Sequence, residues 1–445
     1  MDLRRFVPGR AREDDRPRWR NWAGNQICAP LRIHRPLTEA ELVLIVRNAR
    51  AEQERVRVAG GGRSYSGVAL SDGHLVAIEG YNALLDLNVT RGLVTVQAGV
   101  TLRRLEEELW SRGFVLPAWG DAGEATLGGA ISTGTHGSGL HVTSLAAQVA
   151  ALRVVTGTGD VLDCSPERER EVFEAAVTGL GAAGILSTVT LKVQPAAHLL
   201  QQEEASTVEA VLERQSALLH AGEQLEAEVD LASGDALIRK ARRTDRTPDL
   251  GWRDRLNDEV ATRVGQPSVK RAEQIAPPLA ERLGRVLPHE PLEERIDRAH
   301  RLAARRAGPR RVEMEYVIPR QHAREAIERI RTLVRRSGWR PALPAVLRWA
   351  APDTVPLSMC YRREAAALTV RARRSEAYQP LFEAVETVMR DYEGRPHWGK
   401  VHFQTHETLR PLYPRWDEFQ ATRRRLDPSG VFGNTYTDRV LGAVR

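Results

Sequence analysis

The segment Gly120-Asp121-Ala122-Gly123-Glu124-Ala125-Thr126-Leu127-Gly128-Gly129-Ala130-Ile131-Ser132-Thr133-Gly134-Thr135-His136-Gly137-Ser138-Gly139 governs how this chain is read. Glycine recurs at 120, 123, 128, 129, 134, 137 and 139, interleaved with hydroxyl residues. Fixing that much backbone freedom costs entropy that a plain loop has no need to spend. The pattern implies a backbone wrapped around something large and flat, so ligand binding is expected here.

Working outward, Val58-Ala59-Gly60-Gly61-Gly62-Arg63-Ser64-Tyr65-Ser66-Gly67 reads as a strand, three glycines and then hydroxyl residues. Successive glycines let amides turn toward one point and let a ligand approach closely, which makes a nest for a pyrophosphate. A ligand-free structural turn is the alternative at this loop. A third segment, Gly179-Leu180-Gly181-Ala182-Ala183-Gly184, fits GxGxxG. The nucleotide-binding fingerprint needs strand, glycines, helix. Here a helical stretch precedes and strand-like 185–191 follows, so a Rossmann fold with nicotinamide is not expected.

The 445 residues are enough for two or three domain-sized units. Hydrophobic content of 42% with 28% charged residues suits a soluble protein, and no run nears the roughly 18 apolar residues of a membrane helix. The charged start, MDLRRFVPGRAREDDRPRWR, lacks a secretory apolar stretch, so a cytoplasmic location is expected. Peripheral contact of the basic surface with a membrane stays open. Cys28, Cys164 and Cys360 are odd in number and widely spaced, which argues against a disulfide framework or a zinc pair. Net charge is +7, yet the arginines are interspersed with acids and do not cluster with aromatics, so no nucleic-acid partner is expected.

Thr38 with Glu41 forms a capping-box pattern and starts a helix to about Gln53. Strand-like runs follow at 55–59, 75–79 and 93–98, then a helix over 101–113, a strand at 149–155, a tight turn at 156–160, a helix at 169–178 and a strand ending near Pro195. The stretch 200–312 reads as long polar helices with Pro277-Pro278, and no site is expected in it. A β–α–β–β pattern resumes at 313–319, 322–337, 343–349 and 366–373, as a second unit covering the first. Glu313 and Glu315 alternate in a strand and so share one face. One of them is a candidate base; a solvated strand face is the plainer reading.

Near the C-terminus, Arg395-Pro396-His397-Trp398-Gly399-Lys400-Val401-His402 brings a cation, an imidazole and an indole within a few residues. His397, His402 and His406 have no carboxylate or cysteine at familiar ligand spacing, so no metal is expected.

Taken in order, Asn21-Trp22-Ala23-Gly24-Asn25, the triple-glycine loop, Thr133 to Gly139, Arg395 to His402 and Asp427-Pro428-Ser429-Gly430-Val431-Phe432 resemble the sugar-lactone and alditol oxidases. These belong to the vanillyl-alcohol-oxidase flavoprotein superfamily, and the resemblance covers the chain except about 200–310. It implies an α+β, two-domain flavoprotein with a PCMH-type FAD-binding domain at 20–197, an antiparallel-sheet substrate or cap domain at 198–394, and a segment at 395–445 that returns to the flavin. It implies oxidation of a CH–OH group of an aldonolactone, alditol or conjugated sugar, as in D-arabinono-1,4-lactone oxidases, with O2 or another acceptor taking the electrons. A flavin-binding protein with altered or lost catalysis is the alternative.

The resemblance assigns Gly60, Gly61, Gly62, Arg63, Ser64, Tyr65, Gly123, Thr126, Gly128, Gly129, Ser132, Thr133, His136 and Gly137 to the cofactor's pyrophosphate and flavin. Gly184 and Ile185 are assigned to its adenine side, and Asn434 to the returning segment. Lys400 is the candidate cation beside flavin N5, supported by His397, and Arg348 is the candidate substrate-orienting fork. Arg63 stands where most relatives carry the histidine that bonds the flavin, and a guanidinium is no nucleophile, so non-covalent FAD is expected. Val346 stands where the alditol oxidases have a glutamate, and Thr369 and Arg371 replace their neighbours. The substrate end is therefore expected to carry positive charge and to favour an anionic or lactone substrate over a neutral polyol.

Overall fold

A computed structural model of the chain describes residues 16–117, 123–248, 294–304 and 310–444. The N-terminal stretch, Gly120 to Ala122 and Pro277-Pro278 lie outside the described residues.

Three sheets position the site. Parallel strands Arg32–His34, His74–Ala77 and Val56–Ala59 make the first, with His74–Ala77 in the middle. An antiparallel sheet runs Val161–Cys164, Val149–Val155, Ile185–Lys192, Leu93–Gln97, Leu84–Asn88. Helix Glu39–Ala51 forms as its sequence dictates: Thr38 Oγ1 accepts from the Glu41 amide at 3.3 Å and the Glu41 carboxylate accepts from the Thr38 amide. Leu42, Ile45, Val46 and Ala49 then lie on one buried stripe. Helix Leu102–Ser111 ends before Gly113, whose φ of +81° suits glycine alone. These elements and helix Trp416–Leu426 share one apolar core.

The third sheet has eight strands, all antiparallel to their neighbours. Their order is Glu294–Asp297, His198–Thr207, Asp235–Thr244, Gln224–Val229, Ala345–Ala350, Ala365–Arg373, Arg311–Pro319, Arg395–Pro396. Among the described residues, the region read as long polar helices supplies strands His198–Thr207, Gln224–Val229, Asp235–Thr244 and Glu294–Asp297 instead, with short helices Val208–Glu213, Gln215–His220 and Ala299–Ala304 beside them. Strand alternation gives the sheet two unlike faces. Leu225, Ala227, Ile238, Met314, Tyr316, Leu347, Trp349, Leu368 and Val370 pack under helices Ala323–Arg336 and Gln379–Arg390. The opposite face carries Glu203, Arg239, Glu226, Glu228, Arg348, Thr369, Arg371, Glu313 and Glu315, and it faces the glycine loops.

One buried cation ties the far ends of the chain. Arg57 donates to the carbonyls of Val68 (2.6 Å), Leu180 (2.6 Å), Gly181 (3.3 Å) and Phe432 (2.6 Å). Burial pulls its guanidinium down to about 10, with Arg423 adding to the shift and Asp427 opposing it, so it stays charged at neutral pH. Arg57→Met, which leaves these buried carbonyls without a donor, is expected to lower unfolding free energy by about 3 kcal/mol. Urea denaturation of the FAD-bound protein measures this. Among the described residues no helix is long and apolar enough to cross a membrane.

Candidate active site

A cleft open to solvent runs between the glycine loops and the charged face of the eight-stranded sheet. Its floor is the loop after strand Val56–Ala59. A Cβ on Gly60 would lie 1.8 Å from Thr126 Oγ1, and one on Gly61 would lie 2.0 Å from the Glu124 carbonyl oxygen. Only glycine allows the two loops to approach this closely. Gly62 adopts φ +59°. Among the described residues the amides of Gly61, Gly62, Arg63 and Ser64 donate to no protein acceptor, although all four residues line the cleft. Four successive unpaired amides make the nest that a pyrophosphate requires.

The Trp398-Gly399-Lys400 turn docks on the other side of this loop. Gly399 O accepts from the amides of Tyr65 (2.6 Å) and Ser66 (3.3 Å), and Ser66 Oγ donates to Trp398 O at 2.8 Å. Arg63 stacks its guanidinium over the Trp22 indole at 3.9 Å, and burial pulls its pKa down from the ordinary value.

Lys400 Nζ sits between two carboxylates, 2.9 Å from Glu313 and 2.8 Å from Glu315. Both glutamates are buried, at 6% and 1% exposure, so the reading of 313 and 315 as a solvated strand face is corrected. Burial by itself would raise both; for Glu313 the cations of Lys400, Arg311 and Arg371 outweigh it, and for Glu315 Lys400 and His136 do. Both carboxyls are held well below the usual range, hence anionic. Glu315 also accepts from Thr369 Oγ1 and meets His136 Nε2 at 2.8 Å, while His136 Nδ1 donates to Gly137 O at 2.8 Å.

His397 is a neutral donor. Burial lowers it to about 3, against the opposing charge of Glu315, and its Nδ1 accepts from the Gly399 amide at 3.0 Å. The ring proton therefore lies on Nε2.

At the substrate end, Arg348 places Nε at 2.8 Å and Nη2 at 2.7 Å from Glu226 Oε2. Arg371 Nη1 is 3.1 Å from Glu228 and its Nε is 3.8 Å from Glu313. Burial would raise Glu228, but Arg239 and Arg371 hold it below its ordinary value. The expected surplus of positive charge is thus absent: the arginines face carboxylates one or two strands away, drawn largely from the region in which no site was expected.

Of the residues named from sequence, Gly60, Gly61, Gly62, Arg63, Ser64, Tyr65, Thr126, Gly128, Gly129, Ser132, Thr133, His136, Gly184, Ile185, Arg348, His397 and Lys400 all border the cleft. Gly123, Gly137 and Asn434 do not. Asn434 instead caps helix Thr435–Leu441 and donates to Gly67 O (2.9 Å) and Leu70 O (2.8 Å), fastening the far side of the loop. His402 meets Tyr436 and His406 meets Glu407, so the three C-terminal histidines point to separate partners. Arg57, Arg311 and Gly399 border the cleft without having been singled out, and Glu226 and Glu228 stand behind its arginines. The alternating Gln224-Leu225-Glu226-Ala227-Glu228-Val229 was the available signal for the last two.

A long cleft floored by unpaired amides, with an apolar wall of Val58, Val68, Ile78 and Leu186 and a polar far end, fits FAD. The class defined by fold and site is a flavoprotein, and residues 30–165 match the family described as FAD binding domain. A solvent-stable cholesterol oxidase superposes with a TM-score of 0.75 over 95% of this chain and 97% of that one, at 16% identity, and so shares the fold. Residues 189–440 match the family described as D-arabinono-1,4-lactone oxidase. The chain is 38% identical to an L-gulono-1,4-lactone dehydrogenase of Mycobacterium tuberculosis over 96% of its length and 99% of the relative's. It is 30% identical to an alditol oxidase of Streptomyces sp., and 29% identical to L-gulonolactone oxidase of Bos taurus, each over 95% of this chain and 98% of the relative. The protein belongs to the D-arabinono-1,4-lactone oxidase family of FAD-dependent oxidoreductases that act on CH–OH donors.

Proposed function

We propose that this enzyme oxidises a CH–OH group of a sugar-derived lactone and holds FAD without a covalent bond. The observation behind the reading is the polar far end of the cleft, where Lys400, His397 and Arg348 converge with Thr369 and Arg371. Such a surface suits several hydroxyl oxygens and repels a large apolar substrate.

When bound, FAD supplies the acceptor for the hydride of the carbinol carbon. Residues 20–197 would hold it, 198–394 would cover it, and 395–445 would bring Lys400 and His397 to it. The Lys400 ammonium, fixed by Glu313 and Glu315, stabilises negative charge that develops as the hydroxyl proton passes to water in the open cleft. The Nε2–H of His397 donates a hydrogen bond to the reacting oxygen. Arg348 orients the substrate, and Ser132 and His136, which line the cleft, would border the flavin. Arg63 has no nucleophilic atom to join the flavin, and its contact with Trp22 holds it against the loop.

Purified protein is expected to be yellow and, after acid precipitation, to release all its flavin absorbance to the supernatant. Colour kept in the pellet would refute the non-covalent hold. Turnover of an aldonolactone panel with an artificial electron acceptor tests the substrate class, and activity confined to unconjugated apolar alcohols would overturn it.

A further inference from the structure

The charged face of the sheet contains a bridge that crosses a strand. Glu226 lies directly opposite Arg348 in the ladder, and Glu228 lies opposite Val346, which in turn lies opposite Thr369. Arg371, two residues along from Thr369, reaches back past the Ala345–Ala350 strand to Glu228 at 3.1 Å. Strands two apart are separated by about 10 Å, within the combined reach of arginine and glutamate. Val346, which lies between Glu228 and Thr369 in the ladder, is fully buried. On the other flank Arg239 lies 3.6 Å from Glu226 and 3.3 Å from Glu228, and its Nε is 2.8 Å from Glu203. The arginines at 348 and 371 border the cleft, and the two glutamates stand behind them.

We propose that Glu226 and Glu228 are positioning and specificity residues: they fix Arg348 and Arg371 at the substrate end and cancel their charge, so that the site prefers a neutral polyhydroxylated ring to its anionic ring-opened form. The inference rests on the proposed lactone chemistry. A lactone and its hydrolysis product have nearly the same hydroxyls and differ chiefly in one carboxylate. A guanidinium already neutralised at contact distance still donates N–H groups to neutral oxygens, but offers an incoming anion little compensation for its lost hydration. Glutamates placed one strand from Arg348 and two strands from Arg371 choose between the two ligands without touching either. They also pre-set the guanidinium planes, and bidentate recognition depends on that orientation.

The test uses the FAD-bound enzyme with D-gluconate as the anionic probe, titrated against the flavin absorbance, and the best-used aldonolactone as substrate. Glu226→Gln and Glu228→Gln keep side-chain size and remove charge. Each is expected to bind gluconate about tenfold more tightly, to raise the lactone KM about tenfold, and to leave kcat within about threefold. Unchanged gluconate binding in both variants overturns the proposal. Since the titration needs no turnover, it remains decisive if no lactone is oxidised, an outcome that refutes the functional reading alone. Arg348→Gln and the double variant Glu226→Gln/Arg348→Gln are expected to share one KM; a further loss in the double variant marks Glu226 as merely structural and overturns its role. Should Glu226→Gln fail to retain FAD, Glu226→Asp keeps the charge and withdraws it by one methylene. A raised KM with gluconate binding unchanged then supports the proposal, and an unchanged KM overturns it.

Discussion

Lys400→Met is expected to lower kcat by about 10³-fold while FAD is retained. The ammonium borders the cleft, and its 2.9 Å and 2.8 Å contacts to Glu313 and Glu315 hold it in one place. A cation that needs no rearrangement when charge develops contributes most to the transition state, so kcat should fall far more than KM rises. The pH dependence of stability separates this from a simple packing defect. Both glutamates are depressed in the folded enzyme from an ordinary value of 4.5, against their burial, with Lys400 the leading favourable cause. The stability they contribute is present above the unfolded carboxylate range and is lost as pH falls through their lower folded values. Without Lys400 the buried carboxylates rise, so the variant is penalised most at neutral pH. The difference in Tm between the two proteins should narrow steadily as the medium is acidified. A difference that stays constant from neutral to strongly acid pH would show that Lys400 does not set these charges, and a kcat within tenfold of the parent would remove it from the chemistry.

The part of the molecule that binds the cofactor was legible because its constraints are local. A capping box at Thr38 and Glu41, a glycine at Gly113 and the close approach of Gly60 and Gly61 to the next loop are each settled within a few residues or by a demand for the smallest side chain. The substrate end was less legible because its logic is cross-strand. Arg371 reads alone as positive charge, yet Glu228, which neutralises it, lies 143 residues away in sequence. The same charges hid the strands that bear them. Glu226, Glu228 and Arg239 suggest a solvated face, and a polar stretch read on that premise becomes helix. In the fold that face is turned inward, toward the cleft, and the period of two in 224–229 was outweighed by its polarity. The same inward turn of the charged face buries Glu313 and Glu315 and pins them to Lys400.

Gly61→Ala is expected to weaken FAD binding by about 100-fold, and the reason lies in what the added methyl meets. Its Cβ would stand 2.0 Å from the carbonyl oxygen of Glu124, a backbone atom with no rotamer to turn away. The Glu124 segment is itself tied down, since the Gly123 and Ala125 carbonyls accept from the amides of Arg103 and Leu102, both at 2.9 Å. Relief therefore falls on the 60–64 loop, where the proposed hold on FAD needs the amides of Gly61, Gly62, Arg63 and Ser64 to converge on the pyrophosphate. Each hydrogen bond to a charged oxygen is worth about 1.5–3 kcal/mol. Loss of two such bonds comes to about 3 kcal/mol at the low end, which is about two decades in affinity. Gly113→Ala is the matched control: that glycine has φ +81°, but its Cβ would meet nothing within 4 Å. It should lower Tm through backbone strain and leave the FAD dissociation constant unchanged. Flavin released on dilution, followed by fluorescence, reads both variants. Equal release from the two would mean that the loop's proximity to Glu124 does not shape the nest, and that the glycines at 60 to 62 serve the chain's turn alone.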